Sequence, residues 1–254
     1  MRWLALLSIL SSAMTAAQEN TIGRFHKEDS VQNLTRFSDL CCSIFLVEDP
    51  PARDFCYVLA YSWTPEFCDE KKFPGCEKPR PYWKKNFTLH GLWPQFRDLG
   101  DYPSFCSQVP FDPSAVEKEG LSKMMTYWPN VKYPEGDPNY GSFWEHEWLK
   151  HGTCTGLSPP EYLSAAIDLI VAYGSPTILS DAVGGHVEAD ALRHAMGGNS
   201  HVSLQCDGHK GDTLSGAFTC WSQSGGLPVA QIICPSDVKR EDTCAATSIL
   251  IKDI

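Results

Sequence analysis

Apolar and polar positions divide this chain into segments of different period. Residues 56–63, Cys-Tyr-Val-Leu-Ala-Tyr-Ser-Trp, are apolar or aromatic apart from Ser62, which predicts a core strand. Residues 64–85 carry Pro65, Pro74, Pro79 and Pro81 among several lysines and read as a long surface loop. A second strand is expected over 87–89 with His90 at its end, followed by a proline-rich loop over 91–112. Asp112-Pro113 then opens a helix over 115–127, and residues 129–141 break the pattern. Ser142 and Glu145 match a capping box, so a helix should run from Phe143 to near Gly152. Ser158-Pro159-Pro160-Glu161 is a further helix start, and Tyr162, Leu163, Ala166, Ile167, Ile170 and Tyr173 follow at helical spacing up to Gly174. A shorter helix is predicted over 188–196. Strand character returns over 202–206, 217–222 and 229–234. With no repeat or clean linker, one α+β domain is the simplest organisation.

Composition changes the picture first at the N-terminus. Arg2, the apolar run 3–10 and the small, polar residues 11–17 have the order of a secretory signal peptide over 1–17, leaving a domain over 18–254. That run is too short to cross a bilayer and no later one is long enough either, so no membrane span is expected. Eleven cysteines, at 41, 42, 56, 68, 76, 106, 154, 206, 220, 234 and 244, fit an oxidising compartment, and the odd count leaves one thiol over. Asn33-Leu34-Thr35 and Asn86-Phe87-Thr88 are N-glycosylation acceptors. The formal net charge of −10 argues against a nucleic-acid binder that works by bulk positive charge. Any phosphate recognition must rest on a few local cations.

The candidate chemistry is concentrated in Glu145-His146-Glu147-Trp148-Leu149-Lys150-His151-Gly152-Thr153-Cys154. Positions i and i+4 of a helix lie roughly 40° apart, so His146 falls beside Lys150 and Glu147 beside His151. Lys150 can neutralise a phosphate, His146 can donate to an oxygen, and Glu147 is expected to orient His151 and raise its pKa. A zinc helix of the His-Glu-x-x-His type would place its second histidine where Lys150 stands, and the ammonium would repel the metal. A helix with ordinary surface charges is the blander alternative. His90 is followed by Gly91, which permits close approach of a ligand. Trp93 and Phe143 are equally suited to core packing.

The segments Phe87-Thr88-Leu89-His90-Gly91-Leu92-Trp93-Pro94 and Phe143 to Cys154 resemble the two active-site segments of the ribonuclease T2 family, in order and in separation. The resemblance runs from about Cys56 to Cys244, and residues 18–55 form an N-terminal extension that it does not cover. It implies a disulfide-stapled α+β domain with a central, mainly antiparallel sheet flanked by helices. The implied activity is metal-independent endonucleolytic cleavage of single-stranded RNA through a 2′,3′-cyclic phosphate, with low base specificity, no cofactor and no cleavage of DNA. By similarity His151 is the base, His90 the acid, Glu147 and Lys150 stabilise the phosphorane, and His146 binds phosphate. Trp93 and Tyr102 would stack on the base 5′ to the cut, Phe143 would line the second base site, and Gln95 stands where many relatives carry an acidic or amide residue. The family pattern also implies the pairs Cys68–Cys76, Cys106–Cys154, Cys206–Cys244 and Cys220–Cys234, with Cys56 joined to Cys41 or Cys42. A monomer secreted or delivered to a lysosome or vacuole lumen follows from the same likeness. A secreted recognition or cytotoxic protein is the alternative, and retention of all five catalytic positions favours the enzyme.

Overall fold

The computed structural model describes residues 54–97, 100–208 and 210–254. The signal segment 1–17, Asn33, Cys41 and Cys42 lie outside the described residues. Among the described residues seven strands form one sheet: β1 (Phe55–Ser62), β2 (Thr88–Phe96), β3 (Gly185–Glu188), β4 (Val202–Asp207), β5 (Thr213–Ser224), β6 (Leu227–Ile232) and β7 (Ser248–Ile251). The order is β2-β1-β5-β7-β3, with β4 and β6 also paired to β5. Every pairing is antiparallel except the short parallel contact of β5 with β7. The helices are α1 (Thr64–Phe67), α2 (Pro74–Glu77), α3 (Ser114–Glu119), α4 (Leu121–Tyr127), α5 (Ser142–Lys150), α6 (Pro159–Tyr173), α7 (Thr177–Asp181), α8 (Ala189–Ala195) and α9 (Ser236–Arg240).

β1 is paired on both sides, to β2 and β5, and its six inner residues are buried. A strand covered on both faces has no reason to alternate, which explains its unbroken apolar run. Tyr57, Leu59 and Tyr61 enter the main core, whereas Val58 joins a smaller cluster with Cys220, Cys234 and Val238 on the other face. α6 lays Tyr162, Leu163, Ala166, Ile167 and Ile170 onto the main core. Its start is a complete capping box, with Glu161 Oε2 accepting from the Ser158 amide at 2.8 Å.

The structure departs from several expectations. β2 continues through residues 91–96, so His90 is its third residue and not its end. Pro94 is tolerated there because β2 is an edge strand, where a missing N–H breaks no ladder. Residues 64–85 hold α1, α2 and a 3-10 turn at Pro81–Lys84, each with a proline in its first turn, and not one continuous loop. The helix expected over 115–127 is split into α3 and α4 at Gly120, whose φ is +96°. α5 has no side-chain cap; the Ser142 hydroxyl instead accepts from Asn130 Nδ2 at 3.4 Å. Strands β3 and β7 and helices α7 and α9 span four or five residues each, too few to show a period in sequence.

Four disulfides close: Cys68–Cys76, Cys106–Cys154, Cys206–Cys244 and Cys220–Cys234. Among the described residues Cys56 pairs with no cysteine; it is buried in β1, and desolvation raises its thiol pKa to about 11. No described helix is long and apolar enough to cross a membrane.

Candidate active site

The site begins with an irregularity in β2. Ala60 of β1 pairs with Gly91, and Tyr61 pairs with Leu89, so His90 is the extra residue of a β-bulge. A bulged residue has no partner across the ladder, and its side chain is turned out of the sheet. His90 is accordingly exposed between buried Leu89 and Gly91. Its carbonyl accepts from Trp128 Nε1 at 2.9 Å, which fastens the bulge to the end of α4, and its Nδ1 lies 3.4 Å from Ser62 Oγ.

The second half of the site comes from α5. Glu147 is buried and His146 exposed, with Lys150 half-buried on the next turn. His151 caps the helix, its amide donating to the Glu147 carbonyl at 3.0 Å, and is 3% exposed. The following Gly152 packs so closely on Trp148 and Tyr162 that a Cβ would overlap the Trp148 ring. The loop before α3 is pinned to this end of α5 by Cys106–Cys154, by the Phe105 amide on the Lys150 carbonyl at 2.9 Å, and by the Cys106 amide on Thr153 Oγ1 at 3.1 Å.

The two halves meet in a cleft of about 530 Å³ lined by His90, Trp93, Phe143, His146, Glu147, Lys150 and His151. Ser62 and the stretch Asn130 to Tyr133, which carry no local motif, also line it. Asn130 is held by its Nδ2 on the Tyr140 carbonyl at 3.0 Å, a tertiary contact with no local signature. His90 meets Trp93 and Phe143 edge to face at 5.3 and 5.4 Å. Tyr102 is exposed, 5.9 Å from His151, with Lys150 Nζ 5.7 Å from its ring centre. Gln95 does not line the cleft. It is buried, and its Nε2 donates to the Asp101 carbonyl at 2.9 Å and to the Asp237 carboxylate. Asn86 is half-buried, with its Nδ2 donating to the Tyr82 carbonyl at 3.0 Å.

Electrostatics at the site run opposite to one expectation. Glu147 does not orient His151 or raise its pKa. Glu147 Oε2 accepts instead from Trp93 Nε1 at 2.8 Å, and His151 Nδ1 is buried without a hydrogen-bond partner among the described residues. Desolvation, then the positive charges of Lys150, His146 and His90, lower the His151 pKa to about 3. Desolvation among the aromatic walls, then Lys150, His146 and Lys132, lowers that of His90 to about 4, although the residue as a whole is exposed. Glu147 moves the other way, to about 7, because burial outweighs the Trp93 hydrogen bond and the Lys150 charge. Gly91 also acts differently from expectation: what approaches it is Glu147 Oε2 and Trp93 Nε1, both of which a Cβ would strike.

Two imidazoles, an ammonium and a buried carboxyl line one cleft, a set of groups that could carry out acid–base chemistry on an anion. A model of the ribonuclease T2 family matches residues 54–225. Ribonuclease 1 of Arabidopsis thaliana is 32% identical over 186 residues, 68% of this chain and 77% of that protein. Extracellular ribonuclease LE of Solanum lycopersicum is 30% identical over 203 residues, 72% of this chain and 82% of that one. The crystal structure of human RNase T2 matches with a TM-score of 0.60 at 22% identity, covering 78% of this chain and 98% of that chain, which is a likeness of fold. The chain belongs to the ribonuclease T2 family and is a T2-type endoribonuclease.

Proposed function

We propose that this protein cleaves single-stranded RNA by metal-independent transphosphorylation. The observation that carries the reading is the convergence of His90, thrown out by the β2 bulge, and His151, at the end of α5, on one cleft beside Lys150 and Glu147. His151 takes the proton from the ribose 2′-OH as O2′ bonds to phosphorus. The P–O5′ bond breaks, and His90 gives its proton to O5′. The products are a 2′,3′-cyclic phosphate and a free 5′-hydroxyl. Water then opens the ring with the two roles exchanged, leaving a 3′-phosphate. Lys150 and Glu147 stabilise the charged phosphorane, Glu147 as a neutral donor at acid pH given its raised pKa of about 7. His146, exposed at the mouth, holds phosphate.

Low base specificity fits the walls of the cleft. Phe143 in the wall and exposed Tyr102 beside His151 offer ring surfaces that accept any base, whereas Gln95 spends its amide on Asp101 and Asp237. The N-terminal signal pattern, the acceptors Asn33 and Asn86 and the four disulfides support a glycosylated protein outside the cell or in an acidic organelle. DNA has no 2′-hydroxyl and should stay intact. The direct test is an oligoribonucleotide methylated at every 2′-oxygen, compared with the unmodified strand in excess chelator. The unmodified strand should give cyclic phosphates at full rate and the methylated strand should survive. Degradation of both at equal rates overturns the mechanism.

A further inference from the structure

Trp93 stands where the resemblance puts a base-stacking platform, yet its ring is already engaged. It lies nearly parallel to the His151 imidazole, with centroids 5.1 Å apart and planes at 23°. It meets His90 at 5.3 Å and Phe218 at 5.6 Å. Its Nε1–H donates to Glu147 Oε2 at 2.8 Å. One side chain thus touches the acid, the base and the carboxyl of the site.

The surroundings show how much rests on those contacts. Among the described residues His151 Nδ1 is buried with no hydrogen-bond partner, and none of their carboxylates sets the orientation of this imidazole. What flanks the ring is aromatic, Trp93 and Tyr102. Glu147 is bonded through Oε2 to the indole, which leaves Oε1 as the oxygen that carries the proton when the carboxyl is neutral. The other ionisable groups facing it are Lys150 on its own helix and Tyr162 from α6. The glycine at 91 keeps room for this bond, since a Cβ there would strike both Glu147 Oε2 and Trp93 Nε1.

We propose that Trp93 is a positioning residue of the reaction centre, its ring holding His151 in place and its N–H fixing the Glu147 carboxyl, whether or not a base is stacked on it. This deepens, and rests on, the transphosphorylation reading above.

The test separates positioning from base stacking with a 2′-O-methyl oligonucleotide that contains a single unmodified ribose lacking its base, placed 5′ to the cut. On this substrate Trp93→Phe, which keeps a ring but loses the donor, should lower kcat about tenfold with KM nearly unchanged. The Glu147 carboxyl, followed by carbon NMR, should titrate higher in Trp93→Phe than in wild type, because the lost donor favoured its ionised form. In a Glu147→Gln background, already slower, Trp93→Phe should cost no more than about twofold further. Should Trp93→Phe fail to fold, Gly91→Ala, which separates the same two groups, takes its place in the cycle. Three results overturn the proposal: wild-type kcat in the variant, an equal loss with or without Glu147, or failure of the wild-type enzyme to cut the baseless substrate. Cleavage at a 2′-O-methyl position would instead sink the transphosphorylation reading, a different and visible outcome.

Discussion

His90 and His151 both titrate well below an ordinary imidazole, and the sign of each shift bears on the pH at which the enzyme works. Under the proposed roles His151 must be neutral to accept a proton, so activity should fall as pH drops through about 3. His90 must be protonated to donate one, so activity falls as pH rises through about 4. The expected outcome is a bell in kcat/KM lying on the acid side, measured from initial rates on a dinucleotide. Bound phosphate favours both imidazolium forms, so the kcat profile should lie at higher pH than that of kcat/KM. A kcat/KM profile that keeps rising through neutral pH would contradict the roles given to the two rings. The identities of these residues were legible in the sequence because each sits in a dense local motif. The partner of Glu147 was not, because Trp93 reaches it from a strand 54 residues earlier in the chain.

At the scale of elements, two local devices hold the chemistry. The β2 bulge turns His90 into the cleft, and the Cys106–Cys154 bridge ties the Tyr102 loop to the end of α5. The bridge spans 48 residues of sequence, so its removal frees a long loop in the unfolded chain. Replacing both cysteines with alanine should cost about 2–4 kcal/mol, read from denaturant unfolding. It should also weaken dinucleotide binding through Tyr102. Unchanged stability and KM would show that the loop is held by its backbone hydrogen bonds alone. β1 was readable from its unbroken apolar run and α6 from its helical period. β2 was cut short in that reading because Pro94 signals a break, and only its place at the sheet edge makes the proline acceptable.

Over the whole molecule, a chain of net charge −10 must attract a polyanion through a few cations. Those lining the cleft are Lys132 and Lys150. RNA affinity should therefore depend only mildly on salt, with a slope of log K against log salt of about −2 in fluorescence titrations at acid pH. A slope several times steeper would mean that binding extends over cations outside the cleft. The sequence by itself determined the family, the α+β class and the two histidine segments, because local periodicity and dense motifs survive without knowledge of contacts. Tertiary structure alone decided that His90 is a bulged residue, that Trp93 and not His151 engages Glu147, and that both imidazoles are lowered in pKa. Burial and hydrogen-bond partnership are properties of groups brought together from distant positions, and no local pattern encodes them.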